Sequence, residues 1–153
     1  MIDHKAPEFI TSDKWMNRFM SLAHEIATWS KDPRTQVGAV IVDSKKRVVG
    51  MGYNGFPRGV QDTPARYGNT DPTSPNSKYK YVVHAEVNAV LNAVRDLEGA
   101  TLISTLMPCH ECAKVICQSG IKWVYAHRFH SSGKDEVALE MFDEAGIGAW
   151  ILP

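Results

Sequence analysis

Charge of one sign is what this sequence most plainly lacks: 17 Lys and Arg balance 17 Asp and Glu, for a formal net charge of zero. Proteins that track a phosphate backbone carry a basic excess, so long nucleic acid is not an expected partner. A small phosphorylated molecule needs only a few local cations and stays open. No run of about 18 apolar residues occurs, so no membrane span is expected. The start, Met1-Ile2-Asp3-His4-Lys5, lacks the charged-then-apolar pattern of a leader, and a cytoplasmic location is the expectation. Cysteine is scarce: Cys109, Cys112 and Cys117 are the only three. An odd, clustered set excludes a disulfide framework and fits free or metal-bound thiolates.

Hydrophobic residues are not scarce, and 44% of 153 positions suits one folded domain spanning residues 1–153. Residues 1–11 read as a loose arm, and Ser12 as a helix N-cap. Trp15, Phe19, Leu22, Ile26 and Trp29 recur at steps of four and three, the apolar face of a helix that ends before Asp32-Pro33. Gln36–Asp43 and Arg47–Tyr53 read as an antiparallel hairpin about Ser44-Lys45-Lys46. Residues 54–80 hold four prolines and three glycines and form a long loop, a kind of segment usually functional or mobile. Beyond it, helices are expected over Val82–Leu97, Cys109–Ser119 (closed by Gly120) and Lys134–Ala145, with strands over Thr101–Leu106, Ile121–Ala126 and Ala149–Leu152. That order argues an α/β layer fold.

Cys109 and Cys112, three apart directly after Pro108, share the first turn of their helix. Unpaired N–H groups and the helix dipole at that end favour thiolate over thiol. A lone Cys-x-x-Cys also serves redox pairs and structural zinc. A structural site wants a fourth protein ligand, and none of suitable spacing exists; His110 adjoins Cys109 and diverges from the sulfur pair. A catalytic zinc needs only three ligands, and His84 supplies the third. Glu86, two positions on, points elsewhere around its helix. It is poorly placed as a ligand but suited to shuttle protons beside the open position.

His84-Ala85-Glu86 followed by Pro108-Cys109-His110-Glu111-Cys112 matches the signature of zinc deaminases. With Ser30-Lys31-Asp32-Pro33-Arg34-Thr35-Gln36-Val37-Gly38-Ala39, Gly52-Tyr53-Asn54-Gly55-Phe56-Pro57 and Tyr81-Val82-Val83 before His84, the chain from about Ser30 to Pro153 resembles the cytidine and deoxycytidylate deaminases, most closely the deoxycytidylate branch. The resemblance implies a three-layer α/β/α sandwich around a five-stranded mixed sheet. It implies hydrolysis of dCMP to dUMP and ammonia for thymidylate synthesis, in homo-oligomers, often hexamers, under dCTP and dTTP control. It assigns His84, Cys109 and Cys112 to zinc, Glu86 to proton transfer, Asn54 to the deoxyribose and the Ala85 backbone to the pyrimidine. Some members hold a second zinc through Cys and His in the loop before His-Ala-Glu; Phe56–Val83 contains neither, so one zinc per chain is expected.

The substrate phosphate requires cations. Lys31, Arg34, Arg58, Lys80 and Arg128 with Lys134 are candidates, and Arg34 is preferred because it precedes a strand within the branch-marking segment. His127 and His130 follow a strand, where α/β sites gather. Tyr53 and Phe56 either stack on a base or pack under the loop. Alternatives to dCMP are dCTP, CMP or 5-substituted dCMP, or a catalytically inactive nucleotide-binding module. An intact Glu86 argues against the last.

Overall fold

The computed structural model describes residues 6–152; the start of the expected arm, His4 included, lies outside the described residues. The rest of that arm is structured. Glu8–Thr11 forms a 3-10 turn that buries Phe9 and Ile10. Helix α1 (Asp13–Ala27) then starts from Ser12, whose hydroxyl accepts the Trp15 N–H. Met16, Phe19, Met20, Ala23 and Ile26 are its buried face. Trp29 is a correction to the stripe: it lies beyond the helix, 54% exposed, edge-on to Tyr53.

Strands β1 (Gly38–Val42) and β2 (Val48–Tyr53) form the expected antiparallel hairpin, with Lys46 at φ 63 in its turn. After the long loop, which contains a short helix α2 (Pro64–Gly68), come α3 (Ala85–Leu91), β3 (Thr101–Ser104), α4 (His110–Ser119), β4 (Trp123–Ala126), α5 (Glu136–Glu144) and β5 (Gly148–Ile151). The sheet order is β2-β1-β3-β4-β5; β1 runs antiparallel to both neighbours, and β3, β4 and β5 are parallel. One face packs on α1 through Val40, Val42 and Ile103; the other carries α3, α4 and α5 over Ile41, Leu102 and Val124. This is the three-layer α/β/α sandwich with a five-stranded mixed sheet.

Glycine sets the layer spacing. A Cβ on Gly38 would collide with the Ala23 carbonyl and lie 2.6 Å from the Ala27 nitrogen, so α1 rests directly on the strand backbone. Gly52 serves α3 in the same way, against Ala85 and Ala89. Gly38→Ala is therefore expected to cost about 3 kcal/mol or more, the upper range for overpacking, as read from urea unfolding.

Helix α3 is shorter than periodicity predicts. Val83 is held in a bridge with Gly55, which keeps the chain extended up to His84. At the other end the Val94 N–H turns away to the Val49 carbonyl, leaving Leu91 and Val94 more than 70% exposed. The 54–80 loop has a small core of its own, with Phe56 stacked on Tyr67 at 4.4 Å and on Tyr81 at 5.4 Å. That stacking decides Phe56 in favour of packing. Among the described residues no helix is long and apolar enough to cross a membrane.

Candidate active site

Two helix N-termini meet at one end of the sheet. His84 caps α3, Cys109 caps α4, and Cys112 lies in the first turn of α4. His84 Nδ1 is 3.4 Å from the Cys109 sulfur and 3.2 Å from the Cys112 sulfur, and the sulfurs are 3.8 Å apart. Tetrahedral zinc, with Zn–S about 2.3 Å and Zn–N about 2.0 Å, sets sulfurs about 3.8 Å apart and nitrogen about 3.5 Å from each. The three donors fit that ion, and no other such group of His, Cys, Asp or Glu occurs among the described residues. Cys117 stands apart, half-buried against the core.

The electrostatics suit a cation. Cys109 is held well below the usual thiol range, chiefly by its hydrogen bond with Cys112, with His84 adding to the effect. The same contact, with burial and the facing Glu86, pushes Cys112 up. A metal ion takes both sulfurs as thiolates, so its binding releases thiol protons. His84 is raised by its contact with Cys109 against the opposing effect of burial.

Glu86 is 4% exposed. Its Oε1 accepts the Ser104 hydroxyl at 3.1 Å, and its Oε2 lies 3.4 Å from the Cys112 sulfur. Burial pushes its carboxyl up. Ser104, fully buried at the end of β3, escapes the sequence reading; a serine closing the apolar run Leu102-Ile103 was the available signal.

A cavity of about 560 Å³ opens at the same end of the sheet, lined by residues 32–36, Leu106, Arg128, His130 and Ser131. Arg34 and Arg128 thus line one cavity, brought together because the start of β1 lies beside the end of β3, which pairs in turn with β4. The other candidates do not line it. Lys31 pairs with Asp62 on the surface, and Lys134 lies 5.7 Å over the Tyr79 ring. His127 pairs with His24 at 2.7 Å and does not line the cavity, whereas His130 does. Asn54 is buried: its side-chain oxygen accepts the Val37 N–H and its amide donates to the Thr35 carbonyl, both at 2.8 Å. It pins the segment entering β1 and retains one amide proton. Ala85 is fully buried at the first position of α3.

Three donors with a buried carboxylate beside them fit a catalytic zinc site rather than a closed structural one. Comparison with known proteins narrows this. Residues 13–128 match the cytidine and deoxycytidylate deaminase zinc-binding region. Human deoxycytidylate deaminase is 42% identical over 137 residues, 88% of this chain and 77% of that protein. An uncharacterized deaminase of Aliivibrio fischeri is 42% identical over 92% of this chain and 95% of its own length. The dCMP deaminase of cyanophage S-TIM5, solved in complex with dCMP and dUMP, superposes with a TM-score of 0.73 at 26% identity, covering 97% of this chain and all of that one. The chain belongs to the cytidine and deoxycytidylate deaminase family.

Proposed function

We propose that the protein hydrolyses dCMP to dUMP and ammonia. The observation that carries this reading is a cavity bearing Arg34 and Arg128 at the same end of the sheet as the His84–Cys109–Cys112 cluster and Glu86. The human relative's name and the nucleotides bound to the cyanophage enzyme support the same substrate.

Zinc, when bound by His84, Cys109 and Cys112, supplies Lewis-acid charge that lets a water ionise near neutral pH. Glu86 takes a proton from the water that attacks C4 and returns it to N3. Glu86 then moves the remaining proton of the new C4 hydroxyl to the exocyclic nitrogen, the C4–N bond breaks, and ammonia leaves as the carbonyl forms. Ser104 keeps the Glu86 carboxylate oriented through these transfers. The free amide proton of Asn54 is assigned to the deoxyribose and the Ala85 backbone to the pyrimidine. Arg34 and Arg128 hold the 5′-phosphate.

Ammonia release across dCMP, CMP, dCTP, deoxycytidine and 5-methyl-dCMP, with and without dCTP or dTTP, tests the substrate and the effector control that belongs to this reading. dCMP is expected to give the highest kcat/KM. Arg34→Ala should raise KM for dCMP about tenfold or more, the worth of one charge-assisted contact; an unchanged KM removes Arg34 from the site. Assembly into a homohexamer or another homo-oligomer is part of the same reading and is supported by the exposed Leu91 at the end of α3 and Val94 just beyond it.

A further inference from the structure

Lys78 is the one Lys or Arg buried among the described residues, at 3% exposed, and it comes from the long loop. Its Nζ donates to both oxygens of the equally buried Asp32, at 2.9 and 3.2 Å. Asp32 Oδ1 also accepts the backbone N–H groups of Arg34 and Thr35, at 2.9 and 3.1 Å. The Asp32 N–H is held by Ser30 Oγ, whose own hydroxyl donates to the Asn54 carbonyl. Burial pushes the Asp32 carboxyl up, but the Arg34 N–H, the Lys78 ammonium and the Thr35 N–H together hold it below the ordinary carboxylate range.

A buried ion pair adds little net stability over an apolar replacement of the same volume. The visible work of this one is geometric. It fixes the turn from Asp32 to Thr35, which carries Arg34 and forms a wall of the cavity. Lys78 is itself braced: its N–H donates to the Asn69 carbonyl at 2.8 Å, and its carbonyl accepts the Tyr81 and Val82 N–H groups, both at 3.0 Å.

We propose that Lys78 is a positioning residue for phosphate recognition: through Asp32 it sets where the turn presents Arg34, so preference for a phosphorylated nucleoside depends on a lysine outside the cavity lining. This rests on the reading of the cavity as the phosphate subsite. Loss of phosphate recognition acts on dCMP and spares deoxycytidine, whereas a general loosening of the fold acts on both alike.

The test is the ratio of kcat/KM for dCMP to that for deoxycytidine in zinc-loaded Lys78→Met protein. It should fall about tenfold or more, with the loss in KM for dCMP rather than in kcat. If Lys78→Met does not fold, Asp32→Asn/Lys78→Met leaves no unpaired charge and carries the same expectation. A parental ratio in the folded variant, with Arg34→Ala lowering it in the same assay, overturns the inference and leaves the cavity reading standing. A parental ratio in both Arg34→Ala and Arg128→Ala overturns the cavity reading and the inference with it.

Discussion

Glu86→Gln protein should fold, bind zinc as the parent does, and deaminate dCMP about 10²–10⁴-fold more slowly, the usual contribution of a positioned acid–base group. The substitution is nearly isosteric. The glutamine oxygen can keep the Ser104 hydroxyl that Glu86 Oε1 now accepts at 3.1 Å, and its amide replaces Oε2 near Cys112. What it cannot do is carry a proton. Both transfers, from water to N3 and then to the departing amine, pass through this one carboxylate, which lies 3.4 Å from the Cys112 sulfur beside the ligand cluster. The loss should therefore fall on kcat with KM for dCMP little changed. Ammonia release under saturating dCMP, alongside metal analysis of the same sample, reads both halves. Parental activity with full zinc would end the role assigned to Glu86.

The ligand set was legible in the sequence because its spacing is local. A His-x-Glu at one helix start and a Cys-x-x-Cys at another each fix their geometry within one turn, and the fold only has to bring two N-termini together. The layer class was legible through the alternation of helices and strands. What escaped was set by contacts between distant segments. Nothing near Gly38 announces that Ala23 and Ala27 will press on it. Helix α3 ends early because Gly55 and Val49 capture the backbone on either side, contacts formed across about 30 and 45 residues of chain. The buried Lys78–Asp32 pair spans 46 positions, and a lysine between serine and tyrosine in a polar loop reads as solvated until its partner is known. Arg34 and Arg128 were both candidates from type and position, and only the pairing of β1 with β3, and of β3 with β4, separates them from Lys31 and Lys134.

Removal of the metal should abolish activity and soften the fold, and its return should restore both. Purified protein is expected to hold one zinc per chain. The residues from Phe56 to Val83 contain no Cys or His from which a second site could be built, and His84, Cys109 and Cys112 are the single candidate cluster among the described residues. These donors come from two helices, so an ion they share ties α3 to α4 in the native state alone. At free zinc a thousandfold above its Kd, that linkage is worth about 4 kcal/mol. For a chain of this length the corresponding change in Tm is about 10 °C. Chelation followed by thermal unfolding with and without added zinc measures it directly. Cys112→Ser should lower bound zinc from one equivalent towards none and remove deamination with it. Cys117→Ser, altering a half-buried thiol outside the cluster, should keep both zinc and activity. Two equivalents of zinc in the parent protein would contradict the single site, and full activity after exhaustive metal removal would overturn the zinc chemistry itself.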